Sequence, residues 1–466
     1  MGEGEEEKQG KNQNASLFIK GFLLGVVLFY YAILLLKFEG GPIFKAIIED
    51  PVKMVTLLQY KSGLLNDPYI MHYFNSVNHD YKGLARKKEG GSWGEYSFAV
   101  SSKGSHAFLL DLDGNEVHSW VAPFSQKWGE VRHLDSYVPL QHIVIDRAFL
   151  APEMNGDLYV QYLGFGDPAD YHYGMAKLDK DSNVLWRFED RAHHDVEFVD
   201  DFMLTFVSET TTVPNPHLPN VSGEHFNEYL VWIDPETGKE RKRLNIFDAF
   251  VDSKYQDLLH MFVSDIKHSL MRPGDVLHPN TITLIPDHVV GKAPMLKEDS
   301  VMISFRNLDL LIIIDLNSEK VTWASYGPWK GQHSPRFLDN GHMILFDNMG
   351  GIGTDPRGLS RVLEIDLNTM AIAWEYQGQE GARFFSIYNS MVDPLPNGNV
   401  FVTATHQGRL LEVNRDKEIV WDYFLPERIQ DGELQRIPLV YSGKRYSAEQ
   451  VKFLNLGEQP TGAINE

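Results

Sequence analysis

The feature that most constrains the fold of this chain is a short phrase that recurs along it. Each copy is an apolar strand, an Asp or Asn, a polar turn and a second apolar strand that commonly ends in Trp. Short polar residues accept the backbone angles of tight turns, so each copy predicts a β-hairpin. The six copies occupy residues 109–120, 177–186, 231–240, 313–323, 364–374 and 412–421.

A second phrase, a polar turn followed by an alternating strand, lies between these copies at residues 153–162, 198–207, 337–346 and 394–403. Four strands per unit and six units predict an all-β fold, a six-bladed β-propeller, whose closed ring protects the strand edges. The sixfold recurrence disfavours the alternatives, a β-sandwich or a jelly roll. We assign the propeller to residues 95–425 and a C-terminal extension to residues 426–466.

The N-terminal part of the chain has a different character. Residues 1–14 are acidic and polar, which predicts a disordered tip. The segment 17–36 is apolar with Lys20 as its one charge, and about 30 Å of helix crosses a bilayer core, so a transmembrane helix is predicted at 15–38. A cleaved signal peptide is the alternative, but no small-x-small cleavage site follows. A helical or irregular linker is expected at 39–94.

These predictions describe a single-pass membrane protein. Lysines flank both ends of the apolar segment, so the positive-inside rule does not decide its orientation. We expect the propeller on the non-cytoplasmic side.

Composition excludes several kinds of chemistry. The chain has 43 basic and 64 acidic side chains, a net charge of −21, which argues against nucleic acid as a partner. It contains no cysteine, which removes disulfides, thiolate metal sites and cysteine nucleophiles. Neither a P-loop motif nor a G-x-S-x-G motif is present.

Histidine is abundant, with 18 copies, and several lie just before strands of different units. His193 and His194 occur in RAHHDVEF, His278 in DVLHPNTI and His333 in GQHSPRFLDNG, while Arg306 ends the strand in VMISFRNLDL. A lone buried histidine is more often structural than catalytic. Because these groups come from separate blades, we expect them to converge on one axial funnel and form a site.

Several phrases resemble the aryl-sulfate sulfotransferase (arylsulfotransferase) family over residues 95–425. They are AFLLDLDGNEVHSW, HPN, ISFR, QHSPRFLDNGHMILFDN, RGLSRVLEID and AWEYQGQEGARFFS, in that order. The resemblance implies a six-bladed propeller that moves a sulfuryl group from a phenolic sulfate ester to another phenol without a nucleotide donor.

The resemblance also implies roles for individual residues of this sequence. The resemblance implies that His333 is the nucleophile that becomes transiently sulfated. It also implies catalytic roles for His278, Arg306 and His194, and substrate contacts for Asn280 and His193. Phe305 and Phe384 lie beside these phrases and are expected to contact a phenol ring, although such aromatics are more often blade core.

The sequence departs from the family at two places near these residues. Asn307 and Leu308 follow Arg306 where the family often has His and Gln, and residues 286–299 are inserted between HPN and ISFR. These differences affect the expected acceptor more than the expected chemistry.

The residue types suit sulfuryl transfer. A sulfate monoester spreads its negative charge over three oxygens, and the planar fork of Arg306 matches such an oxyanion. A neutral imidazole such as His333 can attack sulfur through one ring nitrogen while a neighbour holds the other. His278 and His194 suit oxygen binding or proton transfer. We therefore expect an aryl sulfate and a phenolic or alcohol acceptor as small-molecule partners, with no cofactor and no metal.

The sequence leaves two other hypotheses about function open. A divalent metal could be held by the histidines with Asp195, Glu197 or Asp347, and calcium by Asp347, Asn348 and Asp355. Alternatively, the chain is a membrane-tethered propeller that serves as a scaffold or ligand-binding module without chemistry.

Overall fold

The computed structural model describes residues 73–454 except residues 78, 130, 132–139, 165–171, 264–273, 351–359, 379–383 and 432. The predicted tip 1–14 and transmembrane helix 15–38 lie outside the described residues, as does most of the linker 39–94. In the described part of the chain, no helix is long and apolar enough to cross a membrane.

The described residues form an all-β structure, as predicted. Strands dominate, and every pair of neighbouring strands is antiparallel. In chain order the strands are β1 (Phe74–Val77) and β2 (Gly83–Lys87); β3 (Tyr96–Ser101), β4 (His106–Asp111) and β5 (Glu116–Val121); β6 (Val144–Leu150), β7 (Leu158–Leu163), β8 (His172–Leu178) and β9 (Val184–Phe188); β10 (Ala192–Val199), β11 (Phe202–Thr211), β12 (His225–Ile233) and β13 (Glu240–Asn245); β14 (Pro279–Leu284), β15 (Ser300–Phe305), β16 (Leu310–Asp315) and β17 (Lys320–Tyr326); β18 (His333–Phe337), β19 (Met343–Asp347), β20 (Arg361–Asp366) and β21 (Ala371–Tyr376); β22 (Met391–Pro394), β23 (Val400–Ala404), β24 (Arg409–Val413) and β25 (Ile419–Phe424); β26 (Ile429–Asp431), β27 (Leu434–Pro438) and β28 (Val440–Tyr446).

Among the described residues, the helices are short, and all but the last lie in connections between strands. The α-helices are α1 (Phe124–Lys127) and α2 (Ile246–Phe250). The 3₁₀ helices are Leu140–His142, Gln256–Met261, Asp287–Val289, Thr405–Gln407 and Ala448–Val451.

Six sheets follow one another in a ring. Four of them are the consecutive runs β6–β9, β10–β13, β14–β17 and β18–β21; the other two are β22–β25, with β2 on its outer edge, and β28-β3-β4-β5. The innermost strands contact one another in the order β28, β6, β10, β14, β18 and β22, and β22 contacts β28 again. This closed circuit is the arrangement of a six-bladed β-propeller.

The ring is closed by a strand from the C-terminal side. β28 pairs with β3 and supplies the innermost strand of the first blade. It lies within the predicted C-terminal extension 426–466, so the blades continue beyond the predicted range 95–425. In the same way, β1 and β2 lie in the predicted linker 39–94, where β1 pairs with β27 and β2 with β25. Strands drawn from both ends of the described chain therefore hold the ring together.

The recurring phrases have structural roles in every blade. The Asp or Asn of each hairpin phrase lies at the turn between the third and fourth strands, where Asp111 accepts hydrogen bonds from Asp113 N and Asn115 N at 2.8 and 2.9 Å. The terminal Trp then reaches the next blade: Trp120 Nε1 donates to Gly156 O and Trp421 Nε1 donates to Leu112 O, both at 3.0 Å. The repeat therefore encodes the contacts between blades as well as the hairpins.

Candidate active site

Most of the inner strands begin with an irregularity that changes the direction of their side chains. Five of the six carry a β-bulge, and β22 is the exception. In β10 the register shifts between His193 and Val196, in β14 between Pro279 and Thr281, and in β18 at His333. Bulges of this kind turn a side chain out of the regular alternation, commonly next to active sites.

Backbone strain marks the same places. His194, His278 and Ser334 have φ values of 63°, 49° and 54°, a region that non-glycine residues seldom occupy. Each such residue costs on the order of 1–3 kcal/mol and persists only where the surrounding structure enforces it. The strained residues come from three successive blades and are either predicted site residues or next to one.

His333 is buried, and its two ring nitrogens have opposite roles. Nδ1 lies 2.7 Å from Asn348 Oδ1 and 3.0 Å from Gly331 O, which are both acceptors, so Nδ1 carries the proton. Nε2 is buried and makes no hydrogen bond with the described residues. Burial, followed by the charge of Arg306, holds the pKa of His333 well below its ordinary value. The imidazole is therefore neutral, with the lone pair of Nε2 free.

Asn348 fixes this tautomer. Its Nδ2 donates to Ser386 O at 2.8 Å and to Asn389 O at 2.9 Å, which turns its Oδ1 toward His333. The side chain is completely buried. From its sequence context Asn348 was expected at most as a calcium ligand, although it lies in the FDN phrase that follows the histidine motif.

Arg306 is a buried cation with unused donors. Its Nη1 donates to Asn307 Oδ1 at 3.1 Å, while Nε and Nη2 are buried and have no hydrogen-bond partner among the described residues. A guanidinium stays charged even when burial lowers its pKa, as it does here. Two unsatisfied N–H donors on a buried cation are what an anionic ligand would satisfy.

Asn307, one of the two departures from the family pattern, connects Arg306 to the neighbouring loop. Its Nδ2 donates to the backbone oxygen of Asp275 at 2.7 Å. The Asp275 carboxylate lies 2.6 Å from His278 Nδ1. Burial alone would raise the pKa of Asp275, but His278 and Arg306 bring it below its ordinary value. Asp275 is therefore ionised and orients His278.

His194 lies beside His278, with ring centroids 4.9 Å apart. Its backbone oxygen accepts a hydrogen bond of 3.0 Å from Arg147 Nε, which helps to hold the strained residue. Burial, followed by the charge of His278, holds the pKa of His194 well below its ordinary value. The structure thus places His194, His278 and His333 at the beginnings of three neighbouring inner strands, and Arg306 beside His278, whose backbone oxygen accepts the Arg306 N–H at 3.1 Å.

His193 links His194 to a buried carboxyl group. Its Nδ1 lies 2.7 Å from His194 Nδ1 and its Nε2 lies 3.0 Å from Glu228 Oε2. Its ring also stacks on His172 at 4.6 Å between centroids. Neither Glu228 nor His172 was predicted as a site residue from the sequence, because each lies in a strand sequence without a recognisable motif.

Three other predicted residues have structural positions. Phe305 and Phe384 are fully buried in the apolar clusters between blades, so neither presents a surface to a phenol ring. Asn280 donates from Nδ2 to Gln332 O at 2.8 Å and thereby positions the residue before His333.

Three of the acidic residues that were considered as metal ligands already bind an arginine or a backbone N–H group. Asp347 pairs with Arg361 at 2.5 and 2.8 Å. Asp195 accepts the backbone N–H of Ile282 at 3.0 Å, and Glu197 accepts that of Leu284 at 3.1 Å. Asp355 lies outside the described residues.

One histidine cluster has ligand atoms close enough for a metal. Candidate nitrogens of His172, His193 and His194 all lie within 4.8 Å of one another. Both ring nitrogens of His193 already have partners, however, and the 2.7 Å contact with His194 is a hydrogen-bond distance. The cluster therefore fits a hydrogen-bonded chain better than a metal centre.

A comparison of the sequence with known families agrees with this site. The model of the arylsulfotransferase family matches residues 154–425, more than half of the 466-residue chain. The chain belongs to the arylsulfotransferase family. The match spans the strands that carry His194, His278, Arg306 and His333, and it identifies the protein as an arylsulfotransferase-like enzyme.

Among curated proteins, none matches this arylsulfotransferase-family chain. Solved structures match it distantly. A protein of unknown function from Bacteroides caccae is 12% identical, with a TM-score of 0.43, over 74% of this chain and 99% of that one. The Dos1 propeller is 11% identical, with a TM-score of 0.35, over 76% and 78% of the two chains. A Swd1 propeller domain from Myceliophteria thermophila is 10% identical, with a TM-score of 0.38, over 77% and 91%.

Proposed function

We propose that this protein transfers a sulfuryl group from an aryl sulfate ester to a phenolic or alcohol acceptor through a sulfated His333, without a nucleotide donor. One observation carries the proposal: Nε2 of His333 and Nε and Nη2 of Arg306 are buried without a hydrogen-bond partner among the described residues, and the charge of Arg306 acts on His333 strongly enough to lower its pKa. A nucleophile and an anion-binding fork left unpaired in a protein interior are what a bound sulfate ester requires.

In the first half-reaction, the lone pair of His333 Nε2 attacks sulfur. The S–O bond to the aryl group breaks, the electron pair leaves with the phenolate oxygen, and the sulfuryl group stays on Nε2. The proton on Nδ1 remains between Asn348 Oδ1 and Gly331 O, which stabilises the positive charge that develops on the ring. The guanidinium of Arg306 offsets the charge on the sulfuryl oxygens.

In the second half-reaction, the acceptor oxygen attacks the sulfur of sulfated His333. The N–S bond breaks, its electron pair returns to Nε2, and the acceptor hydroxyl loses its proton. His194 and His278 are the neighbouring groups that can exchange this proton and can earlier protonate the departing phenolate. Their ring centroids lie 4.9 Å apart.

The covalent step is tested by intact-mass spectrometry of the purified protein within seconds of mixing with 4-nitrophenyl sulfate. We expect a burst of nitrophenol together with one added sulfuryl group, which is lost when phenol is added. His333→Ala removes the attacking nitrogen, so we expect at least about a 10³-fold loss of transfer. Folding should persist in this variant, as measured by circular dichroism.

The matched control is His288→Ala. His288 is an exposed histidine of the Asp287–Val289 helix, with a side chain 56% exposed, and its loss should leave the burst intact. Transfer at wild-type rates by folded His333→Ala, or a burst without added mass, contradicts the sulfated-histidine intermediate.

We propose in addition that residues 15–38 anchor the enzyme in a membrane with the propeller on the non-cytoplasmic side. The support is the apolar sequence 17–36, which contains Lys20 as its single charge. In a eukaryotic secretory pathway, Asn220 of the Asn-x-Ser sequence would then receive a glycan, and this side chain is exposed. A full-length chain that stays in the soluble fraction, or one in the membrane with no mass change on Asn220→Gln, contradicts this part of the proposal.

A further inference from the structure

A chain of hydrogen bonds leads from the site into the third blade. It begins at His194, passes through both ring nitrogens of His193 and ends at the carboxyl group of Glu228 on β12. The two links measure 2.7 and 3.0 Å. His193 and Glu228 are 2% and 4% exposed, so the far end of the chain is closed to bulk solvent.

The geometry restricts where protons can lie. Each link joins two atoms that need one proton between them, because two protons would clash and none would leave two lone pairs facing each other. If Glu228 holds a proton, His193 donates from Nδ1 and His194 donates from Nε2. If Glu228 is ionised, His193 donates from Nε2 and His194 donates from Nδ1, which leaves the lone pair of His194 Nε2 free. The protonation of Glu228 therefore decides whether His194 is an acid or a base.

We infer that Glu228, His193 and His194 form a proton relay that makes His194 the acid of the first half-reaction and the base of the second. This inference rests on the proposed sulfuryl transfer and deepens it. His194 is the catalytic residue of the relay, while His193 and Glu228 act through it as positioning residues.

The proton balance closes over one cycle. In the first half-reaction, His194 Nε2–H protonates the departing phenolate, His193 Nδ1–H moves to His194 Nδ1, and the Glu228 proton moves to His193 Nε2. Glu228 becomes a carboxylate and both imidazoles remain neutral. In the second half-reaction, the acceptor hydroxyl gives its proton to His194 Nε2 and the two transfers reverse. Neither His193 nor His194 has to become an imidazolium in the low-dielectric interior, where a charged ring would be costly.

The charges around the relay favour the acid form at rest. Burial, followed by the charge of Asp275, raises the pKa of Glu228 well above its ordinary value. Burial, followed by the charge of His278, lowers the pKa of His193 to about 3. The other charged or titratable groups that act on the relay histidines are His172 and Arg147. Before substrate binds, the proton therefore resides on Glu228 and not on an imidazole.

Glu228→Gln tests the relay, because an amide keeps the hydrogen bond to His193 but releases no proton. The need for acid assistance rises with the basicity of the leaving group, so burst rates are compared for 4-nitrophenyl sulfate and phenyl sulfate. We expect about a 10²-fold loss with phenyl sulfate, within the range of a positioned acid, and a clearly smaller loss with 4-nitrophenyl sulfate. The steeper dependence on the leaving group is the readout that a purely structural defect would not produce.

Glu209→Gln is the matched control, since Glu209 is exposed on the neighbouring β11 and its carboxylate accepts a hydrogen bond of 3.0 Å from Tyr229 Oη. It should change neither rate. Equal losses with both esters in folded Glu228→Gln overturn the relay and leave Glu228 a structural residue.

A second measurement does not depend on turnover. The infrared difference between wild type and Glu228→Gln at neutral pH should contain the C=O stretch of a protonated carboxylic acid. A carboxylate signal in its place means that Glu228 is ionised at rest and overturns the relay. If the protonated band is present but wild type releases no phenol from either ester, the proposed sulfuryl transfer has failed, and the relay fails with it as a catalytic device.

Discussion

Two buried arginines show how the axial site differs from the sixth blade. Arg306 and Arg409 are both 3% exposed. Arg409 donates from Nε and Nη2 to the two carboxylate oxygens of Asp422, each at 2.7 Å. Arg306 leaves the same two nitrogens without a hydrogen-bond partner among the described residues. Burial is the same, and the difference lies entirely in the pairing.

The comparison separates a group that holds the fold from one that awaits a ligand. A buried charge with a bidentate partner is compensated within the protein, whereas an uncompensated one costs free energy. The main chain of Arg306 is fixed where the residue follows the end of β15, because its backbone N–H is bonded to His278 O at 3.1 Å. A sulfate ester would supply the missing acceptors.

The largest effect is expected on the structural side of this comparison. Arg409→Ala leaves Asp422 buried without its partner, so the free energy of unfolding should fall by about 3–5 kcal/mol. Denaturant titration of the purified domain measures this. Arg241→Ala, which removes an exposed arginine from its ion pairs, should have little effect. A loss in Arg409→Ala no larger than in Arg241→Ala would mean that the bidentate pair does not stabilise the sixth blade.

Arg306→Lys should reduce activity strongly and stability only slightly. Lysine keeps the charge but loses the planar fork, so we expect kcat/KM for 4-nitrophenyl sulfate to fall by about 10²–10³-fold, which is the usual cost of one oxyanion donor. The unfolding midpoint should move far less than in Arg409→Ala. A variant that keeps its activity but loses stability would place Arg306 with the structural arginines.

The smallest effect concerns pH. The pKa of His333 lies below the ordinary value of about 6.5, so the neutral nucleophile persists as pH falls through 6.5 and is lost only when pH falls through the lowered pKa. We therefore expect the burst rate of the wild type to stay level across pH 6.5. In Asn348→Asp a carboxylate faces Nδ1, which favours the imidazolium and raises the pKa of His333. The burst rate of this variant should therefore start to fall at a higher pH than in the wild type. Near pH 6.5 we expect it to be lower than the wild-type rate by roughly tenfold or less.

Asn368→Asp provides the control for the pH series, since Asn368 is exposed and bonds to Lys292 O. Its pH profile should match that of the wild type. An unchanged profile in Asn348→Asp would show that Asn348 does not set the protonation of His333.

Local pattern was enough to predict much of the fold. The Asp or Asn turns form hairpins through contacts between residues two to four positions apart, as at Asp111 and Asn115, and such contacts are readable from the chain itself. The histidine phrases were likewise recognisable, because His193, His194, His278 and His333 each precede or begin an inner strand. The two phenylalanines show the limit of that reasoning, since their position beside a motif did not reveal that both are buried in the apolar clusters between blades.

The amino-acid sequence was enough to recognise the repeating hairpins, the side chains available for chemistry and the family. It did not reveal that β28 closes the ring by pairing with β3, that Asn348 selects the tautomer of His333, or that Glu228 bonds to His193. These contacts join residues 15 positions apart for His333 and Asn348, 35 for His193 and Glu228, and over 300 for the closing strands. Such pairings depend on the packing of whole blades around the axis, which no local pattern of residues records.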